Sequence, residues 1–271
     1  MKRIHALYFS PTGTTKEIVY GIAKKITAAA GGMTALNELD FTSPRIREKA
    51  VSFSAEDIVI VGVPVYAGRV PNILLKYLNT MSGSGTLAVA VVLYGNRSYD
   101  DALIELKDIL EAKGFKVVAA GAFIGEHSFS DLLACKRPDA NDLLQAENFA
   151  DQIYKKISSP EKIPTIAVKG NKPYRNYYVP KDEKGNPVDL RKVTPRTASS
   201  CVDCKICVEA CPMGSIDLQD AAKLRGICIK CGACIKKCPV QAKYFDDKDY
   251  WRHKVELEME CADRKEPELF L

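Results

Sequence analysis

The sequence predicts a doubly wound α/β domain with a five-stranded parallel sheet, followed by a second, smaller α+β domain. Three observations carry this. Apolar segments alternate with amphipathic ones five times over residues 1–158, as βα units do. Two of the apolar segments run without a polar break, as strands covered on both faces do. Eight of the ten cysteines then crowd into residues 201–238.

The elements follow in order. "IHALYF" (4–9) is a strand. Thr14 to Ala30 is a helix, with Ile18, Val19, Ile22, Ala23 and Ile26 on one side and Gly31-Gly32 as its stop. "TALNELD" (34–40) is the second strand, and Ser43-Pro44 opens a short helix. "DIVIVGVPVY" (57–66) and "TLAVAVVLYG" (86–95) are buried strands, with helical "PNILLKYLNTM" (71–81) between them. "DDALIELKDILEAKG" (100–114) is a helix closed by Gly114, "FKVVAAGAFI" (115–124) the fifth strand, and "DANDLLQAENFADQIYKKI" (139–157) a helix N-capped by Asp139.

Residues 159–194 have linker composition, with Pro160, Pro164, Pro173, Pro180 and Pro187 among charges and Tyr174, Tyr177 and Tyr178. The aromatics indicate that parts of it pack down. Residues 195–271 form the second domain. Its end, "YWRHKVELEMECADRKEPELFL", alternates Val255, Leu257 and Met259 like a strand, but its charge density favours a helix.

Composition excludes some functions. The net charge of +5 is mild, and its excess lies in residues 159–194, so no dedicated nucleic-acid surface is expected. No apolar run reaches membrane-spanning length. The N-terminus lacks a cleavage site, which leads us to expect a cytoplasmic protein. Clustered cysteines in a reducing compartment point to metal or redox chemistry.

The cysteines form an internal repeat, "CVDCKICVEACP" (201–212) and "CIKCGACIKKCP" (228–239). Three thiolates at this spacing hold three corners of one iron–sulfur cube, and the fourth, before Pro, ligates the other cluster. One cluster is assigned to Cys201, Cys204, Cys207 and Cys238, the other to Cys228, Cys231, Cys234 and Cys211. Structural zinc and disulfides are the bland alternatives, although zinc usually takes separated pairs. The sixteen residues between Cys211 and Cys228 are expected to add a surface turn. The repeat resembles the bacterial two-cluster ferredoxins, which implies two [4Fe-4S] clusters.

The loop "SPTGTT" (10–15) joins the first strand to the first helix. A helix N-terminus favours an anion, Ser10, Thr12, Thr14 and Thr15 offer hydroxyls, and Gly13 permits a sharp turn. The loop has neither the Walker A pattern nor Gly-x-Gly-x-x-Gly. It resembles the phosphate loop of flavodoxins, which implies FMN. The resemblance extends to "GVPVYAG" (62–68), where Tyr66 would face the flavin ring beside Ala67 and Gly68. It extends also to "YGNRSYDD" (94–101), with Tyr94, Gly95, Asn96, Arg97 and Tyr99 as ring contacts. Both loops follow carboxyl ends of strands, where ligands of open α/β sheets bind. The bland readings are a sheet-edge tyrosine and a solvated arginine.

The whole chain resembles flavodoxin–ferredoxin fusion proteins of anaerobes. It implies a flavodoxin-like FMN domain (1–158), a basic linker (159–194) and a two-cluster ferredoxin domain (195–271). The implied function is electron transfer between FMN, the clusters and unidentified redox partner proteins. The alternative is a reductase acting on a quinone or nitro compound at the flavin. Glu126, His127 and Ser128 leave the fifth strand near the flavin or the interdomain surface. His127 could relay a proton or make a structural hydrogen bond. Cys135 and Cys261 lie outside the ligand frames and are expected to be inert, and Trp251 to be packing.

Overall fold

The structure is a computed structural model describing residues 3–31, 34–159 and 163–271. Gly32 and Pro160, invoked above, lie outside the described residues. The first domain is built from β1 (Arg3–Tyr8), α1 (Thr14–Ala29), β2 (Leu36–Asp40), β3 (Asp57–Pro64), α2 (Asn72–Leu78), β4 (Leu87–Tyr94), α3 (Ala102–Ala112), β5 (Lys116–Ile124) and α4 (Ala140–Ser158). The helix expected after Pro44 is a single 3-10 turn, Ile46–Glu48.

The five strands pair in parallel in the order β2-β1-β3-β4-β5. Crossovers to either side of β1 put helices on both faces. Alternate residues of each strand serve opposite faces. Ala6, Tyr8, Ile60 and Val91 pack under α1 and α4 with Ile22, Phe149 and Ile153. Leu7, Phe9, Val61 and Val92 pack under α2 and α3 with Leu74, Leu103 and Leu106.

The second domain supplies β6 (Arg196–Thr197), α5 (Ile206–Glu209), α6 (Ala233–Lys236), β7 (Lys243–Tyr244), α7 (Lys248–Glu260) and β8 (Glu268–Phe270). β6 and β7 are antiparallel. The expected surface turn between the cysteine frames is a loop closed by an Ile216–Leu224 bridge. The C-terminal helix is present over α7, but the chain then extends into a strand the helical reading did not include. β8 joins the edge of the first domain's sheet, antiparallel to β5, with Glu268 opposite Ala122 and Phe270 opposite Ala120. The sheet therefore has six strands, five of them parallel.

Residues 166–178 lie down on the first domain, whereas Leu190 and Val193 pack with Phe245 and Tyr250 of the second. The Arg69 guanidinium pairs with Glu105 at 2.7 and 2.8 Å and sits over the rings of Tyr174 and Tyr177. Asp101 accepts from the backbone of Asn171 (2.8 Å) and Arg175 (2.7 Å). Tyr177 donates its hydroxyl to the Val70 carbonyl at 2.8 Å. Residues 180–188 then turn back as a hairpin, closed by Val188 N–H to the Pro180 carbonyl (2.8 Å) and a Lys181–Pro187 bridge.

The second domain is fastened by polar contacts as well as by β8. Arg137 is buried; it pairs with Asp142 and donates to the Lys265 carbonyl at 2.6 Å. Lys236 reaches Glu126 and the Ser130 carbonyl, each at 2.7 Å, and also Asp131. Arg47 donates to the Pro212 carbonyl.

Candidate functional site: a flavin cradle beside the cysteine repeats

The two cysteine frames have the same backbone. Left-handed residues occur at Asp203, Lys205 and Gly214 in the first, and at the corresponding Lys230, Gly232 and Gln241 in the second. These turns bend each Cys-x2-Cys-x2-Cys run around a centre. The fourth cysteines also match: Cys211 Sγ accepts from Ser215 N–H at 3.3 Å, and Cys238 Sγ from Ala242 N–H at 3.2 Å.

The spatial grouping is crossed. Cys201, Cys204, Cys207 and Cys238 line one cavity with Ile206, Pro239 and Val240. Cys228, Cys231, Cys234 and Cys211 line another with Pro212, Ile216 and Phe245. Four sulfur ligands around each small apolar hollow fit a thiolate-held cube. No disulfide joins them. Cys135 is exposed, and Cys261 offers its carbonyl to the Asn96 amide.

On the other side of the interface, Gly13 takes φ 104° and starts α1 without a side-chain cap. The amides of Thr14 and Thr15 are thus open to an anion. Ser10 accepts the Lys16 N–H (2.9 Å) and donates its own N–H to Thr42 (2.7 Å). Ser10 and Gly13 thereby shape the loop, while Thr12, Thr14 and Thr15 line a cavity of about 70 Å3. The ends of β3, β4 and β5 complete it through Tyr66, Tyr94, Gly95, Gly125 and His127. Gly125 is bare because a side chain there would meet Thr14, and Gly95 because it would meet the His127 ring.

A chamber of about 750 Å3 adjoins this cavity. Tyr66, Ala67, Gly68, Tyr94, Gly95 and Arg97 line it from the first domain. Ala67 (φ 52°) and Gly68 (φ 78°) make a tight turn, closed by paired bonds between Tyr66 and Arg69 at 3.0 and 3.1 Å. Burial pushes the Tyr66 phenol well above its ordinary value, so it stays protonated. Arg97 pairs with Asp100 and lies 4.5 Å over the Tyr178 ring. The cation is therefore tied to the protein and not simply solvated.

Two expected ring contacts stand elsewhere. Tyr99 lines neither cavity; it is buried against Tyr94, ring centroids 5.6 Å apart. Asn96 lines neither; its amide donates to the carbonyls of Cys261 (2.6 Å) and Asp263 (2.8 Å). The physical reason is the C-terminal segment, which passes behind this loop and takes Asn96 as its clamp.

His127 lines both cavities. Its Nδ1 accepts from Phe129 N–H at 3.1 Å, which leaves the proton of the neutral ring on Nε2. Burial, then nearby His253, Lys236 and Arg97, push its pKa down to about 4. Cys231, assigned above to a cluster, also lines the same cavity as Thr12 and Thr14, a placement the sequence reading did not include. The signal was Gly232 standing where the first frame has Lys205. Both positions are left-handed, but only at Gly232 would a side chain strike another segment, the Ser128 carbonyl.

Comparison with known protein families decides what this arrangement is. A flavodoxin domain matches residues 6–132 and a 4Fe-4S dicluster domain matches residues 167–250. The chain is a flavodoxin–ferredoxin fusion. No curated protein matches it. Among solved structures, the fusion is similar to a flavodoxin from the domain Archaea, with 16% identity, 59% of this chain and 100% of that one covered, and a TM-score of 0.40. It is also similar to a short-chain flavodoxin associated with a bacterial microcompartment (15%, 58% and 100%, 0.41). A third is a flavodoxin mutant of Fusobacterium nucleatum bound to flavin mononucleotide (20%, 58% and 97%, 0.39). The second matched region begins inside the segment assigned above to the linker. The two domains imply FMN, iron–sulfur clusters and a role in electron transfer. No helix among the described residues is long and apolar enough to cross a membrane.

Proposed function

We propose that the fusion relays electrons between external partners through two [4Fe-4S] clusters and one FMN, in low-potential metabolism of a cytoplasmic, anaerobic setting. The observation that carries the order is Cys231, a member of one cysteine group and a wall of the phosphate-loop cavity. The group of Cys228, Cys231, Cys234 and Cys211 is the flavin-side cluster. The group of Cys201, Cys204, Cys207 and Cys238 faces outward: Cys204 is exposed, and Val202, Leu218 and Val240 nearby expose apolar surface. A one-electron partner protein docks there.

The Thr12, Thr14 and Thr15 hydroxyls and the amides of Thr14 and Thr15 would hold the FMN phosphate, and Tyr66, Tyr94 and Arg97 the ring. Bound FMN supplies the exchange between two-electron and one-electron chemistry. His127 keeps an Nε2 proton at the cavity wall. The test is an anaerobic reductive titration of reconstituted protein, with FMN and iron counted on the same sample. One FMN and about eight irons per chain, reduced together, support the relay. Failure of added FMN to bind overturns it.

A further inference from the structure

The two cysteine frames differ at one buried position. Five residues after the fourth cysteine, the first frame has Ile216 and the second has Lys243. The backbones match here, since Ser215 and Ala242, the residues just before, each donate an N–H to the fourth sulfur. Both side chains are covered, with Ile216 5% and Lys243 3% exposed. Ile216 is a wall of the hollow of Cys228, Cys231, Cys234 and Cys211. Lys243 is a wall of the hollow of Cys201, Cys204, Cys207 and Cys238. The repeat thus sets an apolar side chain beside one group and a cation beside the other.

The Lys243 ammonium has only neutral partners. It donates to the Thr197 hydroxyl at 2.7 Å and to the Ala221 carbonyl, itself a wall of the same hollow. Among the described residues no carboxylate forms an ion pair with it. A buried ammonium without a counter-charge is costly. A thiolate-held iron–sulfur cube is an anion and gains a further negative charge on reduction, so cube and ammonium would compensate each other. Net charge is one of the quantities that set such a cluster's potential. Other charges nearby are weaker candidates. Asp203 and Lys205 pair with each other at 2.6 Å. Lys230, beside the other group, is less covered and opens on the large chamber, where a higher dielectric weakens its field.

We propose that Lys243 is the buried counter-charge of the outer cluster and raises its reduction potential, so that an electron is favoured at the outward face of the second domain. Lys243 acts through the cluster and is a positioning residue. This rests on the two-cluster reading, and the experiment separates the two.

Anaerobic holoprotein, its iron counted first, is titrated potentiometrically and followed by low-temperature spectroscopy. The outer cluster's signal is the one missing from Cys238→Ala. Lys243→Met should make that cluster at least tenfold harder to reduce, about 59 mV for a one-electron couple, with iron content unchanged. Lys243→Gln keeps an N–H donor for Thr197 or Ala221 but no charge, and should do the same. The other cluster should move less in both. An outer potential that neither variant lowers overturns this inference, and so does an equal shift of both clusters. Loss of the outer cluster in both variants assigns Lys243 to assembly and also overturns it. Wild-type protein with well under about eight irons after reconstitution overturns the two-cluster relay and this inference together.

Discussion

Gly232 lies so close to Ser128 that a β-carbon on it would stand 2.5 Å from the Ser128 carbonyl oxygen. The contact is where the flavin-side cysteine frame meets the loop leaving β5. Gly232→Ala combines that collision with a left-handed backbone, and should cost about 1–3 kcal/mol. Thermal unfolding of the holoprotein reads it. Lys205, at the matching position of the other frame, has φ 63°. There Lys205→Gly should shift stability by less than about 1 kcal/mol.

The proposed crossed ligation makes a specific demand on iron content. Cys238→Ala should remove about four irons and abolish the outer cluster formed with Cys201, Cys204 and Cys207. The cluster of Cys228, Cys231, Cys234 and Cys211 should persist. Iron analysis with low-temperature spectroscopy of the reduced protein distinguishes this from loss of the cluster nearest in sequence.

Arg137 and Asp142 form a buried ion pair with Asp142 fully covered. Arg137→Met leaves that carboxylate only the Asp139 N–H at 2.9 Å and the Arg264 guanidinium at 3.8 Å, and frees the Lys265 carbonyl. A loss of about 3–5 kcal/mol is expected, measured by urea unfolding. Chemistry at the flavin should be little affected in the protein that remains folded.

His127 makes stability depend on pH. Its folded pKa of about 4 lies below the ordinary 6.5, so between these values the unfolded chain binds the extra proton. The stabilisation is complete above the unfolded value and is lost as pH falls through the folded one. His127→Gln should therefore flatten the difference in unfolding free energy between about pH 7 and about pH 5.

Removing residues 264–271 deletes β8 and the Arg264–Asp139 ion pair (2.6 Å). The β5 edge is then open to other chains. Lower thermal stability and concentration-dependent association on size-exclusion chromatography are expected.

Much of this was legible in the sequence because the signals were strong and local. Uninterrupted apolar runs marked β3 and β4, and the cysteine spacing marked both frames. α7 was ambiguous because Val255, Leu257 and Met259 alternate, yet only Leu257 is buried. The better signal was Tyr250, His253 and Leu257, buried at helical spacing. β8 was missed because three residues in a charged segment carry no period. Their strand conformation comes from the β5 edge they meet. The role of Asn96 was hidden for the same reason: the carbonyls that claim it, those of Cys261 and Asp263, lie 165 and 167 residues away.

The pairing of β8 with β5 has a consequence for the order of manufacture. A ribosome releases the flavodoxin half long before Glu268–Phe270 are made, so that half first folds with a bare sheet edge. Everything between must be threaded and settled before the edge is sealed, both cysteine frames included. Closure of the sheet is thus a late event, which cannot precede synthesis of both cysteine frames.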